Sequence, residues 1–210
     1  MPLVPWWVLL SSGFAPVSLI AGWVAATSLQ PPSFDPLSQT ISSLAAHGAT
    51  DRWLMTSVFV VVGLCYIVTA CGLDAVRTAA RASIFVGGSA SVLVAFSPEP
   101  AGGGTTAQHI LASGAAFIAL ALWPCLSVER GPRAPWVLRP ATAIMFTVLV
   151  AVLAGWFLFE LRSDGVAGLA ERIVTGLQAV WPVIVVVCLR RASQYARQPR
   201  RAAERQTADG

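Results

Sequence analysis

The sequence predicts an all-α membrane protein, a bundle of six transmembrane helices with both termini cytoplasmic and a partly structured first outer loop. Three observations predict it. Hydrophobic residues make up 56% of the chain and charged residues only 11%, with a mean hydropathy of +0.69, whereas about a quarter of a soluble domain is charged. Six sparsely charged runs reach the ~20 residues that a helix rising about 1.5 Å per residue needs to cross about 30 Å of hydrocarbon. The basic residues, all of them Arg, gather in alternate connections and in the tail.

The first helix runs from about Trp6 to Leu29, with Pro16 inside it and Trp6, Trp7 and Trp23 as interfacial anchors. A signal peptide is the competing reading, but the stretch has no basic n-region and is long for an h-region. Pro31-Pro32 ends the helix. The stretch Phe34 to Leu44 then opens a connection of about two dozen residues, long for a bundle loop and therefore suspected of function. The second helix spans about Trp53 to Leu73, and a short loop carrying Asp74, Arg77 and Arg81 leads to the third, about Ala82 to Phe96, whose Gly87 to Ser91 centre lets a neighbour approach closely. Gly102 to Gly104 form a hinge before the fourth helix, about Thr106 to Val128. The fifth spans about Pro140 to Leu161 and the sixth about Ala167 to Leu189. Residues 1–189 thus form the membrane domain, and residues 190–210 a basic, disordered cytoplasmic tail.

Positive-inside counting orients the bundle. Arg77, Arg81, Arg130, Arg133, Arg139, Arg190, Arg191, Arg197, Arg200, Arg201 and Arg205 share one side, and only Arg52, Arg162 and Arg172 lie on the other. The pI near 9.3 therefore reflects topology; no basic face interleaved with aromatics points to nucleic acid. Cys65, Cys71, Cys125 and Cys188 fall toward the reducing side, which argues against disulfides.

The same sorting places Asp35, Asp51, Glu99, Glu160, Asp164 and Glu171, with His47 and His109, on the outer side, which holds nearly every residue fit for acid–base work. Glu171, Thr175 and Gln178 recur at helical spacing, a polar stripe about 10 Å long that avoids lipid only by facing the bundle interior. His109 and Ser113 make a similar pair, Trp156 lies one turn before Glu160, and Asp35, Ser38 and Ser42 share a face if their stretch is helical. Simpler readings compete. Glu171 and Arg172 suit the start of a helix, Asp35 before Pro36 suits an N-cap accepting the amide of Leu37 or Ser38, His109 suits helix packing, and His47 suits a solvated loop. No HxxxH or HExxH spacing supports a metal, and no nucleophile elbow supports a Ser38 or Ser42 triad with His109 and Asp35.

Asp35-Pro36, Thr40-Ile41-Ser42-x-Leu44 and Trp53, then Phe96-Ser97-Pro98-Glu99-Pro100 with His109, and Gly168-Leu169-Ala170-Glu171-Arg172-Ile173 with Trp181 form an ordered set. It resembles the bacterial membrane family catalogued as domain of unknown function 998, and the resemblance covers nearly the whole chain. It implies a six-helix membrane fold and no general activity. The chain departs from the family pattern in having Glu99 where an aspartate is usual and a lone His109, followed by Ile110, where many relatives have His-Gly-x-x-His.

These features lead to an expected function: a multi-pass enzyme of the bacterial plasma membrane acting on an apolar or amphiphilic substrate, a lipid or an isoprenoid. Asp35, Glu171 and Glu99 are its candidate acids. Ser38, Ser42, His109, Trp156, Glu160, Arg172, Thr175 and Gln178 are its candidate substrate contacts, and neither metal nor cofactor is called for. Proton-initiated terpene cyclisation, with aromatic faces stabilising a cation, is the most concrete version. The alternative is a non-catalytic protein, either a small transporter or a lipid-binding or accessory subunit, whose small-residue faces suit assembly, including with a second copy.

Overall fold

The computed structural model describes residues 4–132, 134–163 and 165–195. Six helices dominate it: α1 (Trp6–Ser28), α2 (Trp53–Gly72), α3 (Thr78–Ala95), α4 (Ala107–Leu126), α5 (Pro140–Ser163) and α6 (Ala167–Tyr195), with short 3₁₀ turns at Ser42–Ala45 and Trp136–Leu138. All six are long and apolar enough to cross a bilayer, so the chain is a multi-pass membrane protein. Each helix packs on the next, and α6 returns to α1, closing a ring.

Lipid tails are as apolar as leucine, so burial cannot drive helices together in a membrane; close approach and interhelical hydrogen bonds must. The α2–α3 pair takes the first route. A Cβ at Gly63 would lie 2.6 Å from the Gly88 carbonyl oxygen, and one at Gly88 would lie 2.6 Å from that of Gly63. Here two backbones touch with no side chain between them. Helix α4 takes the second route: Ser83 of α3 donates to Ala119 O (2.8 Å), Thr147 of α5 to Ala121 O (3.1 Å) and Gln178 of α6 to Phe117 O (3.0 Å). Three neighbours are thereby stitched to one turn of α4.

Two boundaries differ from the sequence-based expectation. Helix α3 starts at Thr78 and takes in Arg81, which charge had placed in the loop. Its Nε donates to Ala70 O (2.9 Å), its Nη2 to Cys71 O (3.0 Å), and its Nη1 pairs with Asp74 at 2.6 Å. The long stem lies along the helices while the head satisfies the carbonyls that end α2. Helix α6 runs past Leu189 to Tyr195, and Arg190 within it turns back to donate to Val4 O at 3.0 Å. The expected domain boundary at 189/190 therefore falls inside a helix. Arg133, Asp164, Arg197, Arg200, Arg201 and Arg205 lie outside the described residues.

Replacing Gly88 with Leu should lower the thermal unfolding midpoint in detergent, with overpacking costing about 1–3 kcal/mol. Gly155→Ala, where an added Cβ meets nothing within 4 Å, should leave the midpoint unchanged or raise it by up to about 1 kcal/mol. Equal midpoints for the two variants would show that the α2–α3 backbone contact is not limiting.

Candidate functional site

The outer end is organised by the start of α6. The first amides of a helix have no partner within it, and here the loop after α1 supplies one. Gly168 N–H donates to Ser38 O (3.2 Å) and Leu169 N–H to Leu37 O (2.9 Å). Arg172, one turn further on, donates through Nη1 to Pro36 O (2.7 Å), Gln39 O (2.9 Å) and Gly168 O (2.9 Å). Position 168 has to be glycine for this to happen: a Cβ there would collide with Gln39 O and lie 2.6 Å from Pro36 O. Four loop carbonyls thus converge on the helix start.

Asp35 shapes the loop from outside. It accepts the Leu37 amide (3.0 Å) and the Ser38 hydroxyl (2.8 Å), and both Asp35 and Ser38 are solvent-exposed. The Leu37 amide, then Ser38, and more weakly the Arg172 charge, hold the Asp35 carboxyl below its ordinary range. An anion held this way braces a turn and is poorly placed to donate a proton. The stretch is a turn followed by a 3₁₀ segment from Ser42, so Asp35 and Ser38 do not share a face with Ser42. Ser42 is buried.

Beyond the turn, the Ile41 amide donates to the Glu171 carboxylate, and the Ser42 hydroxyl lies against the same group. Beneath them, inside the ring of helices, is a cavity of about 80 Å³. Ile41 and Ser42 roof it. Glu171, Thr175 and Gln178 line one wall, while Phe59, Tyr66, Ser91, Ser113 and Phe117 line others. The polar stripe of the sixth helix therefore does face the interior, and Glu171 is the sole acid among the described residues of the lining.

Three of the hydroxyls around this cavity have a common direction. Thr175 donates to Glu171 O (2.7 Å), Ser91 to Gly87 O (2.9 Å) and Ser113 to His109 O (2.7 Å), and Gln178 gives its amide to Phe117 O. A hydroxyl has one hydrogen, so what Thr175, Ser91 and Ser113 turn to a guest is lone pairs. With Glu171, the lining is rich in acceptors and suits a donor or a cation better than a phosphate.

The other candidates lie outside the cavity. His109, buried on α4, has Nδ1 2.8 Å from Ser97 O, so that nitrogen carries hydrogen, and Nε2 sits 3.7 Å from Glu99 Oε1. Burial raises the Glu99 carboxyl above its ordinary range, opposed by the His109 charge. The Glu99 carbonyl also accepts the His47 amide at 3.0 Å, which ties the second outer loop to the first. Trp156 Nε1 donates to Glu160 Oε1 (2.9 Å), and Glu160 Oε2 accepts the Val166 amide (2.9 Å), a brace across the α5–α6 turn. Among the described residues no three His, Cys, Asp or Glu side chains are grouped to hold a metal. Tyr66 and Ser91 escaped the sequence reading, since a single hydroxyl among apolar and small residues sets up no period.

A family model described as "Protein of unknown function (DUF998)" matches residues 14–188, a span that contains all three motif blocks read from the sequence. No curated protein and no solved structure matches the chain.

Arg172→Gln removes the two N–H groups of Nη1 that three carbonyls share, a hydrogen bond from a charged donor contributing about 1.5–3 kcal/mol in favourable settings. Residues 36–42 should then exchange amide hydrogens faster and become accessible to protease, while α2 and α3 stay protected. A second expectation concerns pH. A carboxyl raised by folding keeps its proton where the unfolded chain has lost it, so its stabilisation is complete below the unfolded value and lost as pH climbs through the folded one. Midpoints should fall as pH rises above 4.5, and Glu99→Gln should flatten that slope.

Proposed function

The chain belongs to the DUF998 family, whose description assigns no activity, and from its cavity we propose that it is an intramembrane acid catalyst acting on one end of a lipid-like or isoprenoid substrate. The observation that supports this is a single buried carboxyl, Glu171, on the wall of an otherwise apolar and acceptor-lined chamber within the membrane. There Glu171 passes its proton to a substrate double bond. The π pair forms the new C–H bond, and the resulting cation rests among the faces of Phe59, Phe117 and Tyr66 and the lone pairs of Ser91, Ser113 and Thr175. In ring closure a second double bond attacks the cation and moves the charge to another carbon. Loss of a proton from the neighbouring carbon back to the carboxylate then forms the final double bond and completes the cycle. Ser42 positions the acid, Gln178 ties its helix to α4 through Phe117 O, and Arg172 acts through the loop that roofs it.

The size of the chamber refines the substrate. Pockets for whole small molecules run to about 300–1,000 Å³, and about 80 Å³ holds only the end of a chain. Proton-initiated cyclisation therefore requires the rest of the polyene to lie outside the chamber or the ring of helices to widen. A substrate end bearing a hydroxyl or amine fits the acceptor lining, and a diphosphate does not. One observation favours the non-catalytic, lipid-binding reading: Glu171 already accepts the Ile41 amide, which makes it a latch for the roof.

Glu171→Gln separates the two, since its amide oxygen still accepts from Ile41 while its proton chemistry is gone. With an isoprenoid-containing lipid extract in D₂O, wild-type protein should yield a product carrying one solvent deuteron, and the Gln variant none, at an unchanged unfolding midpoint. If no deuterated product forms with wild-type protein, and Glu171→Ala loses stability while Glu171→Gln keeps it, Glu171 is a latch alone.

A further inference from the structure

A second concavity lies on the lipid-facing side of the bundle, between α1 and α6 toward the arginine-rich inner end. It measures about 470 Å³ and is lined by Gly13, Pro16, Val17, Val180 and Ile184, with Arg191 at its inner mouth. We propose that this groove is a site for an anionic phospholipid, one acyl chain lying along α1 and α6 and the phosphate resting on Arg191.

The dimensions fit one leaflet. From Val180 to Arg191 a helix rises roughly 16 Å, close to half of a hydrocarbon core about 30 Å thick. The floor is open because Gly13 has no side chain and an added Cβ there would meet nothing within 4 Å. The walls are apolar up to the mouth, where the polarity changes abruptly to a guanidinium. That guanidinium is exposed and available. The two ion pairs among the described residues are Arg81–Asp74 and His109–Glu99, and the neighbouring Arg190 is turned inward to Val4 O. Basic clefts between helices at the cytoplasmic face suit anionic headgroups, which are attracted there by the surface potential. A zwitterionic lipid fills the groove equally well with its tail but loses the net charge attraction at Arg191.

The test uses the full chain in detergent micelles, titrated with phosphatidylglycerol or phosphatidylcholine of matched acyl chains and read by native mass spectrometry. Wild-type protein should retain one phosphatidylglycerol at least tenfold more tightly than phosphatidylcholine, the scale of one charge-assisted contact. Arg191→Gln should erase that preference while keeping weak binding of both lipids. Gly13→Leu, whose side chain enters the groove and improves helix propensity, should lose both lipids from this site with no drop in unfolding midpoint. Arg130→Gln, an inner-end arginine outside the groove, should match wild type. Inorganic phosphate alone should not compete. Equal retention of the two lipids, a wild-type preference in Arg191→Gln, or full binding in Gly13→Leu would each overturn the proposal. None of these outcomes bears on the role of Glu171.

Discussion

A helix that starts within a membrane protein exposes amide hydrogens that lipid cannot satisfy, and the outer half of this molecule follows from how α6 resolves that. Its first turn borrows backbone carbonyls from a loop more than 120 positions earlier, with Arg172 gathering two of them and Gly168 making room. Once those carbonyls are docked, the next residues of the loop have little freedom. Ile41 and Ser42 are carried over the top of Glu171, and the chamber acquires a roof. The same few bonds therefore cap a helix, close a long loop and bury an acid.

The two apolar concavities differ in what they present at their polar ends. The inner chamber offers a carboxyl and the lone pairs of Thr175, Ser91 and Ser113, whose hydrogens are donated to helix carbonyls. The lipid-facing groove offers a guanidinium. A molecule rich in acceptors is turned away by the first and attracted by the second. Anionic bilayer lipid, abundant around such a protein, is thereby a poor competitor for the chamber even if it covers the neighbouring surface.

Much of this was legible in the sequence, for reasons that can be traced. Six apolar runs must be helices in a bilayer, and a period of three to four among Glu171, Thr175 and Gln178 must place them on one face, so the wall of the chamber could be read directly. Charge was the less reliable guide. Arg81 and Arg190 read as loop and tail because guanidinium groups are costly in lipid, yet each reaches a backbone carbonyl by lying along its helix. Asp35 grouped with the buried acids because it interrupts apolar sequence, whereas its carboxylate turns outward to brace the loop. The docking of that loop on α6 joins segments with no shared pattern, and only folding brings them together.

The backbone contact between Gly63 and Gly88 also bears on how the chamber can move. With no side chain to rearrange, α2 and α3 behave as one stiff plate. Across the ring, α4 and α6 touch only briefly, and each is interrupted just below the chamber by a proline, Pro124 and Pro182. These lack the amide that Leu120 O or Gln178 O would otherwise bind. Any breathing that admits a long guest should therefore be lopsided, with one side of the barrel acting as an anvil and the proline-jointed side as the door.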